Sequence, residues 1–269
     1  MYPQNNLYSI YKKNVHEKNF SPRIPDVTNK RTLDFMNLAI NCCENWGSSL
    51  DIGGGSGHYT APLLFKFKNA VVVDVAKYEE HEYLKKRYQN FEYHNKFIEQ
   101  IEFKEKFDFI LLADIFEHIV DINLFIEQVS ELQNKGGVVY ILTPNPLFCG
   151  PANQSEIFYT KHLDGHQKHY LKIEVENIMK QHAYELVYFG YEESIIRQKV
   201  RRYIRGFSRR DELLSNKFFI YKKIIAPMLS LGYSSILFFV EYLVHNVEYK
   251  NKNNAELMLS AAYIFKKIY

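Results

Sequence analysis

The chain has 269 residues, with 34 Lys and Arg against 31 Asp and Glu and a formal net charge of +3. Apolar residues make up 46% and charged residues 24%, an ordinary globular mixture, and 12 Gly with 8 Pro exclude a low-complexity chain. An excess of three positive charges makes no phosphate-tracking stripe, so no nucleic-acid partner is expected.

The first helix is expected over Thr32–Asn45, after a proline loop at Ser21–Pro25. A short strand, Ser49–Ile52, runs into glycines, and His58–Lys68 reads as the helix that follows. Ala70–Asp74 is a β-branched strand, Tyr78–Tyr88 a charged helix and Phe91–Asn95 a third strand. Phe107–Leu112 is a fourth strand, and Ile122–Leu132 is apolar at helical spacing. Gly136-Gly137 reads as a helix stop and turn before a fifth strand, Val138–Leu142. Leu171–His182 is a further helix and Tyr184–Gly190 a further strand. Residues 197–210 hold seven Lys or Arg, 218–245 are apolar and aromatic, and Leu257–Phe265 is a last strand. Strands alternating with helices at this interval mean a doubly wound, mostly parallel sheet with helices on both faces.

Cys42, Cys43 and Cys149 show no CxxC spacing, which argues against a disulfide framework or structural zinc and for a reducing, cytoplasmic setting. Met1–Asn6 lacks the basic-then-apolar order of a secretory signal. The most apolar run, Ile236–Val240, is stopped by Glu241, well short of the roughly 20 apolar residues that span a bilayer.

The strongest chemical signal is Leu50-Asp51-Ile52-Gly53-Gly54-Gly55-Ser56-Gly57 at a strand-to-helix turn. Glycines there let the chain turn sharply and let a ligand lie against main-chain N–H groups. Asp74 closes the next strand 19 residues after Gly55, where a carboxylate can accept both hydroxyls of a ribose. A dinucleotide loop would carry its last glycine where His58 stands. Asp51, just before the glycines, repels a pyrophosphate and suits a cationic, phosphate-free nucleoside.

These residues resemble the first motif of class I S-adenosylmethionine-dependent methyltransferases, with Gly54 where a Cys is commoner. Val72-Val73-Asp74 is similar to the second motif, Phe107–Ile119 with its Glu117-His118 to the fourth-strand motif, and Gly136–Asn145 to the fifth. The resemblance covers Ser48–Asn145 and implies S-adenosyl-L-methionine as cofactor and a Rossmann-like sheet with an antiparallel last strand. It implies Asp51, Gly53, Gly54 and Gly55 around the methionine portion, Asp74 on the ribose and Val75 beside the adenine. Asn95 takes the place of the family's adenine-binding acid, and Ala113 and Asp114 line the cleft.

A hydroxyl acceptor needs a base, and His is the commonest one near neutral pH. His162, His166 and His169 with Asp164 follow the fifth strand, and His166 and His169 are the first choices. His118 is a rival base. A metal that acidifies the acceptor is the other route, but the spacing matches no standard ligand pattern, so no metal site is expected. The basic stretch 199–210 suits a phosphate-bearing acceptor or, less well, a membrane surface.

One methyltransferase domain is therefore expected over 1–269: a lid at 1–45, a Rossmann-like core at 46–192, a cap at 193–252 and the last strand at 253–269. The expected reaction is O-methylation of a sugar or nucleotide-linked sugar. The alternatives are N-methylation of a small amine or lipid-linked acceptor, a nicotinamide-dependent oxidoreductase, and a non-catalytic nucleoside-binding protein.

Overall fold

A computed structural model describes residues 30–57, 59–148, 166–192 and 253–269. Its seven strands are β1 (Ser48–Ile52), β2 (Asn69–Val73), β3 (Phe91–His94), β4 (Phe107–Ala113), β5 (Gln133–Pro144), β6 (Tyr184–Tyr191) and β7 (Ser260–Lys267). They form one sheet in the order β3-β2-β1-β4-β5-β7-β6. Pairings from β3 through β5 are parallel, and β7 runs antiparallel to both β5 and β6. The expected antiparallel last strand is thus β7, held between β5 and β6 over most of its length.

Every residue of β1 and β4 is buried, as in strands covered on both faces. The period of two splits their side chains. Leu50, Ile52, Val73, Ile110, Leu112, Val139 and Ile141 pack on one face with helices α4 (Ile122–Leu132) and α5 (Lys172–Gln181). Val72, Phe109, Leu111, Tyr140 and Leu142 pack on the other with α1 (Lys30–Asn41), α2 (Ala61–Leu64) and α3 (Glu79–Arg87). Asp121 caps α4 by accepting the Leu124 N–H at 3.1 Å. Acidic residues open α3 and basic residues close it, which matches the helix dipole. Among the described residues, no helix is long and apolar enough to cross a membrane.

Four elements differ from the sequence reading: the first helix ends at Asn41 and not Asn45, and the last strand runs Ser260–Lys267 because Ala255–Leu257 is a tight helical turn. The helix expected over His58–Lys68 is only the four residues Ala61–Leu64. Thr60, at its start, gives its hydroxyl to Asp51 instead of capping the helix. Gly136-Gly137 is no turn ahead of the fifth strand, because β5 already begins at Gln133. Phe107 pairs with Gln133 and Phe109 with Val138, so β5 carries extra residues between these pairs as a bulge. Gly136, at φ 74°, supplies the left-handed backbone for that bulge. The lid residues before 30, the basic stretch 199–210 and the cap at 193–252 lie outside the described residues.

Candidate functional site

Strand order reverses between β1 and β4, and in such sheets ligands bind in a crevice beyond the carboxyl ends of the strands at that point. The glycine loop occupies one side of it. Gly53, Gly55 and Gly57 all have positive φ, at 71°, 53° and 87°. The Gly53 N–H donates to the Val73 carbonyl at 2.7 Å, and the Gly57 N–H to the Gly54 carbonyl at 2.9 Å. Gly54 has no room for a side chain: a Cβ there would lie 2.9 Å from the Asp51 carboxylate and from Val72. His58 lies outside the described residues.

Asp51 is 1% exposed. One of its oxygens accepts the Thr60 hydroxyl, and the other has no hydrogen-bond partner. Burial pushes this carboxyl up to about 7, opposed by the Thr60 hydrogen bond and aided by the Asp74 charge. An orphaned buried acid is costly unless a ligand completes it. A cationic group laid on the loop would do so.

Asp74 follows β2, and its two oxygens accept the Gly55 N–H at 2.8 Å and the Ala76 N–H at 2.7 Å. Burial raises its pKa, and those two N–H groups pull it back. Each oxygen keeps a second lone pair, enough for two ribose hydroxyls. Asn95 donates its amide N–H to the Ala76 carbonyl at 2.8 Å, which brings it beside the Asp74–Ala76 turn. The acceptor end of that carboxamide is the end an adenine amine needs. Val75, half-buried, lies in the same turn. These residues fit the cofactor that the resemblance implies: a cradle of glycines, an acid awaiting a cation and an acid suited to a diol.

The far side of the crevice is the end of β4. Ala113 is buried, and Asp114 is exposed in a left-handed conformation at φ 53°. Its N–H is held by the Leu142 carbonyl at 2.9 Å. A non-glycine residue in that conformation costs about 1–2 kcal/mol and clusters at functional sites. Next comes a 3-10 turn, Phe116–His118. Glu117, 1% exposed, accepts the Thr143 hydroxyl at 3.1 Å. Burial and, second, the Asp114 charge push it up to about 8.

The fold brings the histidines of two distant segments onto that turn. The Glu117 carbonyl accepts the N–H groups of Gln167 and Lys168, and Tyr170 packs edge-on against Phe116 with centroids 5.0 Å apart. The His166 ring meets His118 at 4.6 Å between centroids, and His166 Nδ1 lies 2.8 Å from His169 Nε2. Burial first, then His118, holds His169 below the usual histidine range. His162 and Asp164 lie outside the described residues.

Glu117, His118 and His166 also offer three ligand atoms within 4.8 Å of one another. Linear spacing could not show this group, because His166 stands 48 residues after His118. Glu117 and Thr60 were not singled out as site residues by sequence. The only pointer to Glu117 is its place beside His118.

A model of the family described as "Methyltransferase domain" matches residues 18–188. A protein named ubiquinone biosynthesis O-methyltransferase from Pelagibacter ubique is 35% identical over 103 residues, 36% of this chain and 41% of that one. The matched stretch thus spans about two-fifths of the curated relative. The N-methyltransferase NodS of Bradyrhizobium japonicum, solved with S-adenosyl-L-homocysteine, aligns over 96% of this chain and 98% of its own, at 13% identity and TM-score 0.56. Phosphoethanolamine N-methyltransferase 2 of Haemonchus contortus, solved with S-adenosyl-L-methionine, aligns over 98% of this chain and 58% of its own, at 14% identity and TM-score 0.56. At such identities the two structures share the fold.

Proposed function

The chain belongs to the methyltransferase domain family, and from that premise we propose that this S-adenosylmethionine-dependent enzyme methylates a hydroxyl of a small molecule. Membership sets aside the nicotinamide-dependent oxidoreductase reading. The cofactor supplies an electrophilic methyl on a sulfonium, and the protein aligns the acceptor and keeps water out. In this proposal Asp74 and the Gly53–Gly55 loop hold the adenosine, with Val75 and Asn95 at the base. Asp51 faces the cationic portion, and Ala113 and Asp114 wall the crevice toward the acceptor.

The observation that carries the hydroxyl reading is the pair His166–His169 beside His118 at the end of β4. A hydroxyl must lose its proton as it takes the methyl, whereas a neutral amine can attack before losing one. In the 2.8 Å contact one ring donates and the other accepts, so a proton taken at one ring can pass to the next. The lowered pKa of His169 keeps it neutral and able to accept at neutral pH. The name of the Pelagibacter relative supports a hydroxyl acceptor. The sugar or nucleotide-linked sugar class rests on the histidine cluster, the basic stretch 199–210 and family-level analogy.

A second route to the same product has its own support. Glu117, His118 and His166 could hold a divalent cation, which would acidify an acceptor hydroxyl. The test is S-adenosylhomocysteine release from the purified chain with phenols, sugars, nucleotide-linked sugars and amines, before and after chelation. Turnover with a hydroxyl acceptor is expected, and chelation separates the two routes. Turnover with amines alone would overturn the hydroxyl reading.

A further inference from the structure

Gly55, in the middle of the loop, is held at both of its polar groups. Its N–H donates to Asp74 at 2.8 Å, and its carbonyl lies 2.7 Å from Nε2 of His81. His81 belongs to α3 and is fully buried. Its ring lies among Tyr78, Phe91 and Tyr93, at centroid distances of 5.4, 6.2 and 5.1 Å. A phenyl ring would pack there as well as an imidazole, so burial alone does not account for a polar ring in an aromatic cage.

The hydrogen bond does account for it. A carbonyl oxygen only accepts, so Nε2 carries the proton when the ring is neutral. Nδ1 is then bare, buried and without a hydrogen-bond partner. Protonating it would place an N–H and a charge where no acceptor meets them. We propose that His81 is a positioning residue of the cofactor loop: it fixes the Gly55 peptide, and with it the left-handed turn that presents Gly55 and Asp74 to the cofactor. This inference rests on the reading of the loop as the cofactor's seat.

Acid weakens such a clamp. Burial holds His81 below its ordinary 6.5, opposed by the Gly55 carbonyl and by Glu82. A loop that has let go returns the ring toward 6.5. The clamped form is therefore fully favoured above about 6.5 and is lost as the pH falls through its depressed value. The titratable groups around the ring are Glu82 on its own helix, Tyr78 before that helix, Tyr93 on β3 and Asp74 across the Gly55 peptide.

The test is calorimetric titration of the full chain with S-adenosylhomocysteine between about pH 5.5 and 8, for wild type, His81→Leu and His81→Gln. Leucine removes the donor, and affinity at pH 8 is expected to fall roughly three- to tenfold, the scale of one hydrogen bond. Glutamine keeps an N–H near the Nε2 position and cannot titrate. It is expected to restore affinity at pH 8 and to lose less affinity than wild type below about pH 6.5. Asp51 and Asp74 titrate in both proteins, so the difference between the two curves isolates His81. A Leu variant of wild-type affinity, altered only in melting temperature, would overturn the assignment. Should that variant not fold, a Gln curve parallel to the wild-type curve overturns it equally. If wild type itself binds no S-adenosylhomocysteine, the reading of the loop fails and this inference with it; wild-type binding with an indifferent Leu variant sinks only the role of His81.

Discussion

Thr60 donates its hydroxyl hydrogen to one oxygen of Asp51, and the second oxygen of Asp51 is buried with no hydrogen-bond partner. A half-satisfied acid at the centre of a parallel sheet costs stability, so it carries a signature in both stability and binding. Its pKa rises from 3.8 to about 7 on folding. The native state therefore holds a proton that the unfolded chain has released between those values, and Asp51 destabilises the ligand-free protein increasingly as pH rises toward 7. Asp51→Asn is expected to raise the melting temperature at pH 8 by a few degrees, equivalent to roughly 1–3 kcal/mol. The same change is expected to weaken cofactor binding, because the asparagine brings no charge to a cation. Thermal melts and calorimetry on one preparation check both. A fall in stability and in affinity together would make Asp51 a structural acid only.

Asp74 is expected to behave differently. It is already bonded to the N–H groups of Gly55 and Ala76, so its loss both loosens the loop and removes the acceptor for a diol. Asp74→Ala is expected to weaken S-adenosylhomocysteine binding by about 1–3 kcal/mol, the scale of a hydrogen bond to a charged group. Adenine alone makes no use of that acid, so its weak binding should change little. Unchanged affinity for the full ligand would remove Asp74 from the site.

Gly54 and Gly55 separate steric from conformational constraint. A Cβ at Gly54 meets Asp51 and Val72 at 2.9 Å, while the nearest atom to a Cβ at Gly55 is the Tyr78 hydroxyl at 3.9 Å. Gly54→Ala is expected to cost about 1–3 kcal/mol by overpacking and to push Asp51 off Thr60. Gly55→Ala pays only for its positive φ, about 1–2 kcal/mol. Denaturant melts give both numbers, and cofactor affinity should fall with Gly54→Ala even where the protein remains folded.

His166→Ala and His169→Ala are expected to leave cofactor affinity unchanged and to lower turnover on a hydroxyl acceptor by roughly 10²–10⁴-fold, the range for loss of a general base. Turnover unaffected by both substitutions would place the base, or the need for one, elsewhere.

The parallel, doubly wound character of the sheet was legible because uncharged β-branched runs such as Ala70–Val73 alternate with helical spacing such as Ile122–Leu132, while the strand order was not. Asp51 and Asp74 were legible because the acid-glycine and strand-end positions lie on local chain geometry. What escaped depends on side-chain and backbone contacts that no sequence period displays. The helix after the loop shrank because Thr60 turned its hydroxyl to Asp51. The start of β5 moved to Gln133 because Gly136 absorbs a bulge that no period of two displays. Glu117 meets His166 through main-chain hydrogen bonds to residues 167 and 168 and through ring contacts from its neighbours Phe116 and His118, none of which linear spacing displays. His81 sat unnoticed in a charged helix, since nothing in its neighbours along the chain reveals that it turns inward to Gly55.

A crystal structure of the protein with S-adenosylhomocysteine tests the central claim most directly. The ribose hydroxyls are expected within hydrogen-bonding distance of Asp74, with the amino group toward Asp51 and the sulfur facing the crevice between Asp114 and His166. A ligand bound elsewhere, or an Asp74 carboxylate still held only by Gly55 and Ala76, would contradict it.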